Sequence, residues 1–492
     1  MPTTLNRRAF MGTAAATAFA LNVKPAAAKD AYSGLDAMAQ SALVRGKQTT
    51  SLELVDAAIA RINAANPKIN AVVAEYFDKA RTQAKTARPG GSLSGMPYLI
   101  KDLNDIKGEI ATSGSRLMAK HVGTENSLMA QKAMDAGMIV VGKTNTPEFG
   151  LMASTESLLL GACHNPWNTG YSTGGSSGGA AAAVASGMLP VAHASDGGGS
   201  IRIPASCCGV FGLKPSRGRM NFGAKEKMPG DIAVENCVSR SVRDSAMVFA
   251  LSEDVSPKAP LKPTGFVAGP SQKRLKIAFN TLSYYGSEPT PDVKAAIEAT
   301  AKLCTDLGHQ IVPVKNPVQG ETFIDAFLTV WASGPAQLVA LAHSLKLKPE
   351  DVLEPWTLGL ADYFAKKPKD ALSKSLAYFR TVELQTNAFM SHYDAWLTPV
   401  LTSTAPKLGE QAPTVPFDVL YDRITHYVSY TPLHNVAGTP AMSVPLGMGT
   451  DGLPIGSQFA AAKGNEAVLY ALAYELEQAQ PWAAKHAQVW VG

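Results

Sequence analysis

The sequence predicts an α/β protein, and three features predict it. Short apolar runs of strand length alternate with longer segments of helical period along most of the chain. Residues 275–279, 291–307 and 310–314 read strand, helix, strand, a βαβ unit that implies parallel pairing. The composition, 46% apolar and 17% charged over 492 residues, supplies an ordinary globular core. That length would fill about two to four average domains, but large α/β chains also fold as one.

The N-terminus reads as a targeting segment. Asn6-Arg7-Arg8-Ala9-Phe10-Met11 is a twin-arginine pattern, residues 11–23 are apolar, and Ala26-Ala27-Ala28 fits a small-residue cleavage site. Residues 1–28 are therefore set apart from the fold, and the expected location is the bacterial periplasm. Losing Arg7, Arg8 and Lys24 lowers the formal charge from +5 to +2. Beyond this segment no run has the uninterrupted apolar length of a span, so stable membrane association is not expected. No basic run carries interleaved aromatics, so nucleic acid is not an expected partner.

Thr50-x-x-Glu53 is a capping box, and Leu52, Val55, Ile59 and Ile62 then recur at helical spacing. Asn66-Pro67 is expected to stop that helix. Residues 71–87 repeat the helical pattern, and Arg88-Pro89-Gly90-Gly91 ends it, giving a helical N-terminal region over 29–90. Tyr98-Leu99-Ile100 reads as a strand that ends in Lys101-Asp102. A lysine there is ordinarily a snorkelling surface cation. Residues 127–136 are helical and 138–142 form a buried strand, followed by Lys143, read as structural.

Residues 171–204 hold the densest chemistry. Two serine-bearing glycine loops, Gly174-Gly175-Ser176-Ser177-Gly178-Gly179 and Asp196-Gly197-Gly198-Gly199-Ser200, bracket an alanine-rich helix over about 180–186. Glycines beside a serine let another group approach closely, and successive N–H groups can hold an anion. Each loop can present a hydroxyl, and the second can also stabilise an oxyanion. The region is too apolar for a flexible linker. No Gly-Lys-Ser/Thr ending follows, which weakens a phosphate cradle. Gly174 to Gly179 also match Gly-x-Ser-x-Gly, but the polar turn-rich residues 164–170 before them replace the strand that such an elbow needs. Asp196 and Arg202, of opposite charge, are expected to brace the second loop.

These motifs resemble the signature of the amidase signature family. Gly-Gly-Ser-Ser-Gly-Gly is followed by Asp-x-Gly-Gly-Ser-Ile-Arg-x-Pro, with the two serines 24 residues apart, then by Cys208-Gly209-Val210-Phe211-Gly212-Leu213-Lys214-Pro215. Lys101-Asp102, Asn165-Pro166-Trp167-Asn168 and Asn435-Val436-Ala437-Gly438-Thr439-Pro440-Ala441 match as well, so the resemblance runs from about 37 to 478. It implies one large domain over 29–492, with a central mixed β-sheet covered by helices on both faces. It also implies hydrolysis of a carboxylic amide by a Ser–Ser–Lys triad. Ser200 is the nucleophile, Ser176 a proton relay on a non-proline cis peptide, and Lys101 the base. The N–H groups of Gly197, Gly198, Gly199 and Ser200 form the oxyanion hole. Ser154 and Ser177 join Asp196 and Arg202 in the supporting network. Gly197 departs from the family pattern, where a larger residue is common. No cofactor or metal is needed. The partner implied is a small amide, and a homodimer remains open.

The segments Asn165–Asn168, Ile201–Ser206 and Leu213–Arg219 are similar to those of the cyclic-amide branch; aliphatic, aryl and peptide amides stay open. A glutamine-hydrolysing amidotransferase subunit shares the triad, but export argues against it. A periplasmic amide-binding protein is the non-enzymatic alternative. No Ser-x-x-Lys occurs, which removes a β-lactamase reading. The five cysteines are odd in number and scattered, so they predict no disulfide scaffold. Cys208 as a nucleophile lacks an activating histidine. Residues 323–371 are mostly helical and expected to shape substrate access, with Trp331, Trp356 and Tyr363 as pocket candidates. Residues 396–400, 441–446 and 455–459 read as strands, and 466–478 as the closing helix.

Overall fold

The computed structural model describes residues 30–88, 90–220, 229–318 and 320–492. The twin-arginine segment 1–28 and Pro89 lie outside the described residues. In chain order come α1 (Ala37–Arg45), α2 (Ser51–Ile69), β1 (Val72–Glu75), α3 (Phe77–Thr86), β2 (Pro97–Lys101), α4 (Leu128–Asp135) and β3 (Ile139–Thr144). The two-residue strands β4 (Glu156–Ser157), β5 (Gly161–Ala162) and β6 (His164–Asn165) precede β7 (Asn168–Ser172). The signature stretch forms α5 (Gly178–Ala185), β8 (Val191–Asp196), α6 (Arg202–Cys208), β9 (Phe211–Lys214), β10 (Val234–Ser239) and α7 (Val242–Ser252). Then follow β11 (Lys276–Phe279), α8 (Pro291–Asp306), β12 (Gln310–Pro313), α9 (Gly320–Ser344), α10 (Pro349–Val352), α11 (Pro355–Ala365) and α12 (Ala371–Met390). The chain closes with β13 (Ala395–Pro399), α13 (Phe417–Tyr427), α14 (Pro432–Ala437), β14 (Ala441–Met448), β15 (Pro454–Ala460) and α15 (Glu466–Ala479).

The central sheet is mixed and has eight strands in the order β12-β11-β13-β15-β14-β9-β10-β8. β11 is parallel to both β12 and β13, as the βαβ reading requires, and the remaining neighbours are antiparallel. Alternation along each strand sends neighbours to opposite faces. Ile277 and Leu397 therefore pack under α7, α8 and α15 with Val293, Phe249 and Tyr470. Ala278 and Trp396 pack on the other face with Phe323, Phe379 and Val436 of α9, α12 and α14. A second sheet, β1-β3-β2, runs beside the β8 edge, where the Lys101 N–H donates to His193 Nδ1 at 3.3 Å. α5 lies between the two sheets and is buried along its whole length. A helix made almost wholly of Gly and Ala has no polar face to turn outward, and its small side chains allow strands close on every side.

Three expectations about elements need correction. α2 does not stop at Asn66-Pro67 but continues to Ile69 and ends at Asn70 with φ 54°. Pro67 forfeits one late hydrogen bond, while Ile62, Ala65 and Ile69 stay fully buried and hold the last turn. Residues 71–87 are not one helix. Val72–Glu75 pairs antiparallel with β3, and α3 starts only at Phe77. The Asn66 carboxamide oxygen accepts from the N–H groups of Ala71 and Val72, both at 2.8 Å, and turns the chain into that strand. Finally, α9 does have the length and composition of a membrane span. Its apolar residues instead pack on α11, α12 and the sheet, with Phe323, Phe327 and Val330 in the core.

Candidate active site

Lys101 is the last residue of β2, so the strand carries it to the junction of the two sheets, where it is 0% exposed. Its Nζ donates to three hydroxyls: Ser176 Oγ at 2.7 Å, Ser177 Oγ at 2.9 Å and Ser195 Oγ at 3.0 Å. Among the described residues no carboxylate touches it. Burial pushes its pKa down to about 7, against the weaker upward pull of Glu235 and Asp196. Ser176 follows a cis peptide bond, Gly175–Ser176. Ser177 opens α5; its hydroxyl also donates to the Ser195 carbonyl at 3.2 Å, and its N–H to the Ser200 carbonyl at 3.3 Å. That last bond ties the two serine loops together.

The second loop is held from beneath. Arg202 Nε and Nη2 reach the two Asp196 oxygens at 2.9 Å each, with both side chains fully buried. Arg202 also donates to Gln458 Oε1, Asn435 Oδ1 and the Thr431 carbonyl. Burial alone would raise the Asp196 carboxyl, but Arg202, Lys214 and Asn435 together outweigh it and hold the pKa at about 2. Asp196 Oδ1 accepts the Gly199 N–H at 2.7 Å, and Oδ2 accepts the Ile201 N–H at 3.2 Å. The Gly199 N–H is thus the loop's own brace and is not turned to a substrate, which removes it from the expected oxyanion set. Gly199 has φ +138°, and a Cβ there would lie 2.3 Å from Thr431 Oγ1. Only glycine takes both the conformation and the space.

Ser154 also departs from expectation. Its hydroxyl donates to the Gln411 carbonyl at 2.7 Å, away from the lysine. Its backbone carbonyl packs against the first serine loop: a Cβ on Gly175 would stand 2.6 Å from it and from the Met152 carbonyl, so the position has room only for glycine. Gly198 and Ser200 line a pocket with an empty volume of about 580 Å³, and Gly197 precedes them in the same loop. Ser200, 7% exposed, opens into that pocket. Trp331 and Trp356 line it, together with Phe327, Leu328, Ile324 and Met152. Tyr363 does not; its hydroxyl donates to Asp325 at 3.0 Å and its ring packs on Tyr421. The five cysteines are free and buried, and burial pushes the Cys208 thiol far up, away from nucleophilic use.

The family model described as Amidase matches residues 53–470. The chain belongs to the amidase signature family. It is 38% identical over 457 residues to a putative amidase, AmiC, of Mycobacterium leprae, covering 92% of this chain and 97% of that one. It is 36% identical to the 6-aminohexanoate-cyclic-dimer hydrolase of Paenarthrobacter ureafaciens, covering 92% and 96%. A solved 6-aminohexanoate cyclic dimer hydrolase complexed with substrate superposes with a TM-score of 0.86 at 32% identity, over 93% of this chain and 99% of that chain. A glutamyl-tRNA(Gln) amidotransferase chain from Thermotoga maritima is more distant, with a TM-score of 0.74 at 25% identity over 94% and 99%. This amidase is a hydrolase of carbon–nitrogen bonds.

Four residues of this amidase's site were not singled out from the sequence. Ser195 is the third hydroxyl on Lys101, and His193, two residues earlier, lies on the same face of β8. His193 Nε2 lies 3.7 Å from Glu235 Oε2, and Asn104 Nδ2 donates to Glu235 Oε1 at 2.9 Å. Burial raises the Glu235 carboxyl, but His193, Asn104 and Lys101 together bring it below the usual range. The period-2 relation of His193 to Ser195 was readable. Glu235 sits opposite Ser195 only through the β8–β10 register, and no local signal marks it.

Proposed function

We propose that this amidase hydrolyses its amide through an acyl-enzyme on Ser200, with Ser176 as proton relay and Lys101 as base. The observation that carries the reading is a buried lysine amine, 2.7 Å from Ser176 Oγ, with a pKa of about 7. Near neutral pH a useful fraction of that amine is uncharged and can accept a proton. Ser176 passes its proton to Lys101 and takes the one from Ser200 as Ser200 Oγ bonds to the carbonyl carbon. The tetrahedral oxyanion meets the N–H groups of Gly197, Gly198 and Ser200, Gly199 being engaged by Asp196. The C–N bond breaks as the proton returns through Ser176 to the leaving nitrogen. Water then repeats the sequence on the ester and frees the acid and Ser200.

Ser200→Ala is expected to lower kcat by on the order of 10⁶-fold while the protein stays folded. Full amidase activity in a folded Ser200→Ala enzyme would sink the assignment. The similarity to amidases exceeds that to the amidotransferase chain, which supports free hydrolysis over ammonia delivery. We further propose a periplasmic location, on the twin-arginine pattern at Arg7-Arg8. Cell fractionation of wild type and an Arg7→Lys/Arg8→Lys variant tests it: the variant should stay in the cytoplasm, and equal export of both refutes the route.

A further inference from the structure

Among the described residues, charge is missing from the walls of the substrate pocket: none of those that line it is Lys, Arg, His, Asp or Glu. The two cations beside the serine loops are engaged elsewhere: Lys101 faces three hydroxyls, and Arg202 is held by Asp196, Asn435, Gln458 and Thr431. Apart from Ser200, three polar side chains of the wall are committed inward. The Tyr284 hydroxyl donates to the Val428 carbonyl at 2.8 Å, Thr425 Oγ1 to the Tyr421 carbonyl at 2.8 Å, and Trp356 Nε1 to the Leu151 carbonyl at 3.2 Å. Among the described residues, what faces the cavity is aliphatic and aromatic surface, the neutral indole of Trp331 and the Ser200 hydroxyl.

That aromatic surface has a direction. Phe323, Phe327 and Trp331 stack along α9, with ring centroids 6.2 Å and 5.5 Å apart. Phe327 lies directly over the second serine loop: a Cβ on Gly198 would be 3.0 Å from Phe327 Cζ and 3.9 Å from Trp331 Cζ3. These two rings therefore stand beside the Gly198–Ser200 segment, where a bound carbonyl would sit. An unpaired charge buried against them keeps neither its water nor a counter-ion.

We infer that this site selects uncharged amides whose acyl group is aromatic or bulky and apolar, held on Phe327 and Trp331. It rejects acyl groups ending in a carboxylate, and amino-acid amides such as glutamine that carry both an ammonium and a carboxylate. The inference rests on the amide-hydrolase reading, and its test keeps the two separable.

The purified enzyme is first treated with a fluorophosphonate, and the labelled residue is found by peptide mass mapping. Label on Ser200 is expected; its absence would sink the nucleophile reading and this inference with it. The labelling-competent enzyme is then assayed on hexanamide, 3-phenylpropionamide, adipamate and L-glutamine. Hexanamide should exceed adipamate, its partner of like length with a carboxylate, by about 100-fold or more in kcat/KM. Trp331→Ala should cost 3-phenylpropionamide about 10- to 100-fold, mainly through KM, and should cost propionamide less. Trp331→Arg should narrow the gap between hexanamide and adipamate. Label on Ser200 together with equal or better turnover of adipamate or glutamine, or no turnover of either neutral amide, would overturn the inference.

Discussion

Lys101 and Lys143 stand on adjacent parallel strands, one register step apart, and both are fully buried. Burial pushes both amines toward the neutral form. Their neighbours separate them. Lys143 Nζ lies 3.2 Å from Asp102 Oδ1, and that carboxylate, which also accepts from the Thr112 N–H and hydroxyl, favours its charge. Lys101 has three hydroxyls and, among the described residues, no carboxylate within contact. Desolvation is common to both lysines, and the charge of the partner decides which one is fit to serve as a base.

The strongest break of this comparison is to remove each amine in turn. Lys101→Met should lower kcat by about 10²- to 10⁴-fold, the usual worth of a general base, with the melting temperature little changed. A Lys101→Met enzyme of near-normal kcat would leave the site without a need for this base. Next, Ser177→Asp should turn Lys101 into a second Lys143 by placing a carboxylate beside its amine. The lysine would hold its proton more tightly, and kcat/KM at pH 7 should fall by about 10- to 10³-fold, recovering as pH rises. A uniform loss at all pH values would count against it.

Lys143→Met should act on stability instead. It strands Asp102 in the interior, at a cost of about 3–5 kcal/mol in chemical denaturation, while kcat per fluorophosphonate-titrated site is retained. The smallest effect concerns pH. For wild type, kcat/KM should rise with pH through a limb at about 7, because only the uncharged Lys101 accepts a proton. Glu235 favours the charged lysine, so Glu235→Gln should move that limb to lower pH. A limb unmoved in Glu235→Gln, or moved upward, would contradict that electrostatic account.

Much of the site was legible because its motifs are local. The two Gly/Ser loops, the Lys101-Asp102 pair at the end of an apolar run, and the Asp196/Arg202 bracket each lie within a few consecutive residues. The capping box at Thr50 and Glu53 formed as its spacing requires. What misled was context. Residues 71–76 carry a helical period, yet the open edge of β3 recruits Val72–Glu75 as a strand. An apolar α9 satisfies a span criterion and still packs in the interior, since composition does not say what covers a helix.

The sequence by itself determined which hydroxyls and which amine are present, how the glycines around them allow close approach, and where strands and helices alternate. The tertiary structure alone decided that β2 runs beside β8, which brings Ser195, His193 and Glu235 around Lys101 from far along the chain. It alone turned the Gly199 N–H onto Asp196 and the Ser154 hydroxyl onto Gln411. The physical reason is that residue type and spacing set what a segment can offer. The direction of each hydrogen bond, and the charge an interior amine keeps, depend on groups that only packing places within about 3 Å of one another.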